Sequence, residues 1–148
     1  MKEIHTEIEI QAPADRIWRV LTDFAAYPEW NPFVRRVMGE IKVGSRFHVF
    51  AQPSRRKGMW FRPKVLVVDP CRELRWLDYL WVPGLFHGEH AFVIEPRGEG
   101  LVRFIQREQF GGLLLPLFSK ILEVDTRRGF DEMNQALKAR CEAHARLS

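Results

Sequence analysis

The sequence lacks most of the features that mark specialised classes of protein. Its 148 residues include only two cysteines, Cys71 and Cys141, which are far apart and have no metal-ligand spacing. That usage is typical of a reduced, cytoplasmic protein, and no metal site is expected. No apolar run approaches the ~20 residues of a membrane span. The opening MKEIHTEIEI alternates charged and apolar side chains, unlike a secretory signal.

The motifs of several common chemistries are also missing. The sequence has no glycine-rich phosphate loop and no HExxH, GxSxG or CxxC pattern, so it predicts no cofactor. The formal net charge is only +4, and the longest basic run, Arg55–Lys57, stands between Ser54 and Gly58, which is typical of a solvated hairpin tip. Because nucleic-acid surfaces are normally larger or carry exposed aromatics among the cations, no nucleic-acid partner is expected.

Aromatic residues, by contrast, are abundant, and four of them crowd one short segment, DFAAYPEWNPFV. Its prolines, Pro28 and Pro32, exclude an uninterrupted helix and a central strand. Before it, the alternation in IHTEIEIQA predicts a half-buried strand, and PADRIWRVLTDF predicts a helix with Pro13 in its first turn. The segment is predicted to form a short second helical turn and a bend. Its aromatics then either plug one end of a core or line an opening into a cavity.

Strand and turn signals dominate the middle of the chain, and a long helix follows. Candidate strands cover 33–41, 45–52, 58–68, 73–81, 86–96 and 101–110. Residues then recur at helical spacing: Phe118, Leu122, Thr126, Phe130, Met133, Leu137 and Cys141. The sequence thus predicts an α+β fold, a curved antiparallel sheet of about seven strands wrapped around a long C-terminal helix, with two short helices after strand 1 and a single domain over 1–148. Such a sheet tends to leave a hollow space at one end.

The position of its turn sets the register of the last hairpin, and its charges indicate which face points inward. If the turn centres on Glu99, the more charged face is predicted to point to water, and it pairs Glu89 with Gln109, Ala91 with Arg107, Val93 with Ile105, and Glu95 with Arg103. The opposite face then points inward, and it pairs His90 with Glu108, Phe92 with Gln106, and Ile94 with Phe104.

This register buries three polar side chains, those of His90, Gln106 and Glu108, among phenylalanines. A buried carboxylate needs a partner or a raised pKa, and a His90–Glu108 pair would satisfy both groups. Structural pairing, the lining of a wet cavity and catalysis are all open for these residues. The sequence alone does not choose among them.

A second hairpin, around Asp69 and Pro70, contributes apolar side chains to the same inner face. It is predicted to place Phe61, Val65 and Val67 opposite Leu80, Trp76 and Leu74. Asp78 then points inward near the end of its strand. A carboxylate at the rim of a sheet normally stays in contact with water, because carboxylates are seldom fully buried without a partner.

The chain resembles the START/Bet v 1-like (SRPBCC) superfamily, and within it the polyketide cyclase/dehydrase and lipid-transport family. The resemblance covers about residues 3–141 and rests on APADRIWRVLTDFAAYPEWNPFV, VGSRF, LRW, GLFHGEHAF, and REQFGGLLLPLF leading into GFDEMNQALKAR. It implies a helix-grip fold, in which a curved sheet grips the C-terminal helix over an apolar cavity. It also implies that the short helices close one end of the cavity, with Tyr27, Trp30 and Phe33 as wall or plug residues.

The resemblance and the inward register together give a set of expected ligand-binding residues. They are Tyr27, Trp30, Phe33, Phe61, Trp76, Asp78, His90, Phe92, Gln106, Glu108, Phe110, Phe118 and Leu122. The expected partner is a small hydrophobic molecule, such as a lipid, an isoprenoid or a polyketide. The sequence leaves the oligomeric state open between a monomer and a homodimer.

An enzyme of the aromatase/cyclase kind is the alternative. In such an enzyme, polar groups of the cavity would assist enolisation and dehydration by acid–base chemistry. His90 and Glu108 are the only inward pair that could serve, and the resemblance assigns no known catalytic role to these positions. A protein partner that uses the basic surface and the exposed loops is a third interpretation.

Overall fold

The computed structural model of the chain describes residues 2–80 and 84–147. The strands are β1 (Lys2–Ile10), β2 (Val34–Met38), β3 (His48–Ala51), β4 (Met59–Phe61), β5 (Lys64–Asp69), β6 (Glu73–Leu80), β7 (Phe86–Gly98) and β8 (Leu101–Gly111). The helices are α1 (Ala14–Thr22), α2 (Tyr27–Trp30), α3 (Leu115–Ile121) and α4 (Arg127–Leu147), with a 3-10 turn at Phe24–Ala26 and a π-helical turn at Leu122–Thr126. None of the described helices is long and apolar enough to cross a bilayer.

The described strands form two antiparallel sheets, of five and three strands, where about seven strands were predicted. The larger has the order β1-β8-β7-β6-β5, and the smaller has the order β2-β3-β4. The predicted strand over 58–68 is divided at Pro63, which has no N–H to donate to a ladder. The sheets remain joined, because the Phe47 N–H donates to the Pro63 carbonyl and the Val65 N–H donates to the Ser45 carbonyl.

The predicted pairing of the last hairpin is confirmed along its length, with His90 opposite Glu108 and Phe92 opposite Gln106. Its outer face is more buried than predicted, since Ala91 and Ile105 are almost fully covered. Ala91 lies between Arg75 and Arg107 on the two neighbouring strands. Arginine carries an apolar stem that can cover a small neighbour while its charged end stays in water.

The hairpin between β5 and β6 follows the prediction only in part. Val65 lies opposite Trp76, as predicted, but an irregularity between Val65 and Val67 places Val68 opposite Leu74. Phe61 belongs to β4 in the smaller sheet and is not opposite β6. Trp81, at the end of the predicted strand, lies outside the described residues. A β-bulge shifts every later pair by one residue, and alternation alone does not reveal it.

The C-terminal helix supplies one side of the core, as its periodicity predicts. The side chains of Phe130, Met133, Leu137 and Cys141 are fully buried. Gly129 faces Phe33, and a Cβ atom at this position would clash with the phenylalanine ring. The absence of a side chain therefore lets α4 approach the start of β2 closely. The predicted helix is not uniform, because the π turn at Leu122–Thr126 interrupts its first half.

Candidate functional site

A cavity of about 330 Å³ lies between the inner faces of the two sheets and the π turn that precedes α4. Its walls are mainly apolar, and its polar residues fall into two groups, Asp78, His90 and Glu108 from the larger sheet, and Arg56, Lys57, Asp125 and Thr126 from the β3–β4 loop and the π turn. Seven of the residues expected from the sequence line it: Phe33, Phe61, Trp76, Asp78, His90, Glu108 and Leu122. Protein interiors rarely keep a void larger than a water molecule, so an apolar space of this size is a candidate ligand site.

The aromatics of DFAAYPEWNPFV divide between the cavity wall and the core. Phe33 lines the cavity, but Tyr27 and Trp30 do not. The Tyr27 hydroxyl donates to the Leu21 carbonyl, and its ring packs edge-on against Phe24 and Trp30. The asparagine within the segment fixes the bend, because the Asn31 side-chain carbonyl accepts from the N–H groups of Phe33 and Val34. This segment therefore closes the end of the core, and only its last aromatic reaches the cavity.

Four further expected residues lie behind the cavity wall rather than in it. Phe92 stacks on the His90 ring, with 4.2 Å between ring centres. Phe110 and Phe118 both contact the ring of Phe86, which lines the cavity. Gln106 is fully buried among polar partners. The structure thus brings seven of the thirteen expected residues to the cavity, and contact of any of them with a ligand stays a prediction.

Gln106 is the centre of a buried hydrogen-bond network. Its side-chain oxygen lies 3.0 Å from His90 Nε2, and its side-chain nitrogen donates to Asn134 Oδ1 at 2.7 Å. Asn134 Nδ2 donates in turn to the hydroxyl of Thr6 at 3.0 Å. The network therefore joins β7, β8, α4 and β1, and it satisfies polar groups that would be costly to bury alone.

Structural pairing of His90 with Glu108, one of the alternatives that the sequence leaves open, does not take the form of a hydrogen bond. The two side chains are direct cross-strand neighbours, but His90 Nδ1 and Glu108 Oε1 are 3.7 Å apart, which is too long for a hydrogen bond. His90 bonds to Gln106 instead. The Gln106 amide is oriented for this bond because its nitrogen donates to Asn134 in α4. The sequence interpretation missed Thr6 and Asn134 as partners, although Thr6 lies in the inward series of β1 and Asn134 follows Phe130 by one helical turn.

Glu108 is free of that network and points into the cavity beside Gly88. A Cβ atom at Gly88 would lie 2.5 Å from Glu108 Oε2, so only glycine leaves this space for the carboxyl group. Burial, with a smaller contribution from the negative charge of Asp78, raises the pKa of Glu108 from 4.5 to about 8. Burial lowers the pKa of His90 to about 3, against an opposing contribution from its bond to Gln106. At neutral pH a protonated carboxyl group therefore faces a neutral imidazole.

Asp78 lies on the other side of Gly88 and is only half-buried, so it remains partly in contact with water as predicted for a rim position. Its Oδ2 atom is nonetheless buried and has no hydrogen-bond partner among the described residues. Burial raises the pKa of Asp78, while the Tyr79 backbone N–H and the Arg46 charge oppose that rise. The Gly88 end of the cavity thus holds two carboxyl groups and a neutral histidine.

We expect Glu108→Gln to change how stability depends on pH. Between about pH 6.5 and 8, Glu108 stays largely protonated in the native protein, whereas the unfolded chain has lost that proton. The free energy of unfolding of the wild type therefore falls as the pH rises. Relative to wild type, the variant should gain about 1.5 kcal/mol over this interval, given 1.36 kcal/mol per pH unit and partial native ionisation near pH 8. Urea unfolding at a series of pH values measures this difference.

Glu99→Gln is the matched control, because Glu99 lies on the exposed turn between β7 and β8. Its stability curve should run parallel to that of the wild type. A Glu108→Gln curve that is also parallel to wild type would show that Glu108 ionises normally in the native protein. Below about pH 6.5 the unfolded His90 begins to bind a proton that the native residue does not, so the comparison is cleanest above this value.

A second group of polar residues in the cavity lining comes from the loop between β3 and β4 and from the π turn. Arg56 Nε lies 2.9 Å from Asp125 Oδ2 in the π turn, and the Ser54 hydroxyl donates to Glu132 at 2.8 Å. Arg56 and Lys57 both line the cavity. The predicted solvated hairpin tip is therefore held against the helix beside the cavity. Among the described residues, no cluster of His, Cys, Asp or Glu could hold a metal ion.

Comparison with known proteins places this geometry among related folds. The family model described as polyketide cyclase / dehydrase and lipid transport matches residues 1–142. The Zhui aromatase/cyclase from Streptomyces sp. R1128 is 16% identical, with 97% of this chain and 95% of that chain covered and a TM-score of 0.79. A START superfamily protein from Mycobacterium smegmatis is 19% identical, with coverage of 95% and 97% and a TM-score of 0.75.

A norcoclaurine synthase point mutant from Thalictrum flavum, in complex with a transition-state analogue, is also similar. It is 21% identical, with coverage of 97% and 96% and a TM-score of 0.73. No curated protein sequence matches the chain significantly. At these identities the likeness concerns the fold alone, and it confirms the predicted helix-grip arrangement, built here from two sheets.

Proposed function

Because the chain belongs to the polyketide cyclase/dehydrase and lipid-transport family, we propose that it binds a small hydrophobic molecule, such as a lipid, an isoprenoid or a polyketide, in its internal cavity. The observation that carries this proposal is the cavity itself, about 330 Å³ of mainly apolar space lined by two groups of polar residues. Ligand sites of small molecules have this character, with apolar walls for affinity and a few polar groups for orientation.

The packing around the cavity supports a binding role over incomplete core packing. Trp76 lines the space and is held by edge contacts with Phe47, His90 and Phe92. Gly88 keeps one end open where a larger residue would collide with Glu108. Rigid aromatic walls do not collapse into the space, so apolar surface there stays available to a ligand.

A bound apolar ligand should stabilise the folded protein against heat. If only the native state binds, free ligand at about 100 times its dissociation constant adds about 2.7 kcal/mol. For a domain of this size the melting temperature should rise by roughly 5–10 °C. Differential scanning fluorimetry with fatty acids, isoprenoids and polyphenols measures this rise.

A cavity-filling variant is the control for that experiment. Ala51 lines the cavity from β3, so the ring of Ala51→Phe should occupy part of the space and reduce the ligand-induced rise. An equal rise in wild type and variant would place the ligand elsewhere on the protein. No rise with any compound at saturating concentration would refute the binding proposal.

An aromatase/cyclase-type activity is the second candidate, and the state of Glu108 favours it. A carboxyl group whose pKa is raised to about 8 can donate a proton at neutral pH, as general acid catalysis requires. Glu108→Gln keeps the side-chain volume and removes this acid. Unchanged ligand affinity with lost turnover of a poly-β-ketone substrate would favour the enzyme, whereas an absence of turnover in the wild type would exclude that substrate class.

We further propose a cytoplasmic location and a single domain over residues 1–148. Both cysteines are free thiols, which suits a reducing compartment. β1 and β8 pair along their full lengths, and α4 packs against β1, so the two ends of the sequence share one core. Protease digestion should give one resistant core rather than two fragments.

A further inference from the structure

The hydrogen-bond network fixes which nitrogen of His90 carries its proton. The backbone carbonyl of Phe130 can only accept, and it lies 3.4 Å from the side-chain nitrogen of Gln106. Asn134 Oδ1 accepts from the same nitrogen, because the amide group of Asn134 donates to Thr6. The side-chain oxygen of Gln106 must therefore face His90, and it can only accept. The proton of the neutral imidazole thus resides on Nε2.

The other ring nitrogen is consequently an unused acceptor. His90 Nδ1 carries a lone pair, makes no hydrogen bond with the residues that the structure describes, and lies 3.7 Å from a carboxyl oxygen of Glu108. The His90 side chain is only 5% exposed, and the residue lines the cavity. Enclosing an acceptor without a donor is costly, and the open space beside His90 is the cavity, from which a ligand can supply that donor.

Two carboxyl groups add acceptors at the same place. Asp78 lies directly opposite Gly88, and its buried Oδ2 has no partner among the described residues. The Glu108 carboxyl group occupies the space that Gly88 leaves open. A single proton on Glu108 can satisfy only one of the other two groups. The site therefore has an excess of acceptors over donors.

We propose that the Gly88 end of the cavity recognises a hydrogen-bond-donating head group, a hydroxyl or a protonated amine, on an apolar body, with His90 Nδ1, Asp78 and Glu108 as its acceptors. This inference rests on the proposed binding function and specifies the chemical class of the ligand. The apolar body would lie against Phe33, Phe61 and Trp76, which line the same cavity. A head group that only accepts hydrogen bonds leaves at least one of His90 Nδ1 and Asp78 Oδ2 unsatisfied.

Three probes that share one apolar body test the proposal: naphthalenemethanol, its methyl ether, and naphthalenemethylamine. The alcohol or the amine should bind at least about tenfold more tightly than the ether, as expected for one hydrogen bond to a buried acceptor. Isothermal titration calorimetry measures the three affinities. Preference for the amine indicates ionised carboxyl groups at the site, and preference for the alcohol indicates a neutral site; either result supports the proposal.

Two volume-conserving variants connect the preference to the site. Asp78→Asn replaces an acceptor oxygen with an NH₂ donor, and Glu108→Gln replaces a hydroxyl that both donates and accepts with an NH₂ that only donates, so in each variant the preference over the ether should fall severalfold. Glu89→Gln is the matched control, because Glu89 is adjacent to His90 in β7 but on its outer face, where it pairs with Arg75. It should keep the wild-type preference.

The outcomes separate the two proposals. Equal affinities for the three probes, or tightest binding of the ether, would overturn the donor-head-group inference while leaving cavity binding intact. An unchanged preference in both Glu108→Gln and Asp78→Asn, with folding verified by thermal melting, would overturn it as well. If none of the probes binds, the donor-head-group inference fails together with the binding proposal for ligands of this size.

Discussion

Replacing Trp76 with alanine is expected to lower the free energy of unfolding by about 3–5 kcal/mol, the usual cost of truncating a buried tryptophan. The Trp76 side chain is nearly buried in β6, and its ring makes edge contacts with Phe47, His90 and Phe92. The other side of the Trp76 ring borders the cavity, so no side chain packed there can fill the volume that the substitution leaves. For a chain of this length the melting temperature should fall by roughly 10 °C or more. Affinity for an apolar ligand should fall too, because the variant loses a wall of the cavity.

Trp60→Ala is the matched control for this loss. Trp60 lies in β4, is 53% exposed, and has one aromatic neighbour, Phe50. Its truncation should cost less than about 1 kcal/mol, because exposed substitutions seldom cost more. Urea unfolding of both variants gives the comparison. Similar losses at the two positions would mean that Trp76 is not a packed part of the cavity wall.

Gln106→Met is expected to cost roughly 2–5 kcal/mol although it places an apolar side chain of similar size in a buried position. Methionine cannot accept the proton of His90 Nε2 or donate to Asn134 Oδ1. Each buried polar atom left without a partner costs about 1–3 kcal/mol. The loss therefore comes from the partners of Gln106 rather than from packing, and chemical denaturation measures it.

The same substitution on the other face of the same strand provides the control. Gln109 is exposed in β8, three residues further along, so Gln109→Met should change stability by no more than about 0.5 kcal/mol. The nuclear magnetic resonance signals of the His90 ring should shift in Gln106→Met and stay unchanged in Gln109→Met. A Gln106→Met protein as stable as the control would contradict the network described here.

The sequence determined the features that depend on short periods. The turn centred on Glu99 predicted the register of β7 and β8, with His90 opposite Glu108, and the alternation of charged and apolar side chains predicted which face points inward. Spacing of three and four residues predicted the buried face of α4, from Phe130 to Cys141. These predictions succeed because a side chain's direction follows from the backbone geometry of its own strand or helix.

Features set by distances between separate elements could not be predicted in the same way. The division into two sheets depends on Pro63, whose place at a boundary between strands became clear only from the pairing around it. Tyr27 lies outside the cavity because its hydroxyl bonds to the Leu21 carbonyl in the preceding helix, and Trp30 packs against the Tyr27 ring. The bulge in β5 moved later pairs by one residue, which alternation does not record.

The tertiary structure alone decided which polar side chains of the candidate site bond to one another. Thr6 and Asn134 are 128 residues apart in the sequence, and only the packing of α4 on the sheet brings them into one hydrogen-bond network with Gln106. In that network His90 bonds to Gln106 and not to Glu108, and the Glu108 carboxyl group lies in the cavity beside Gly88. The sequence by itself determined which side chains face inward. Which of them pair, and which remain available to a ligand, depends on distances of a few tenths of an ångström that only the assembled fold fixes.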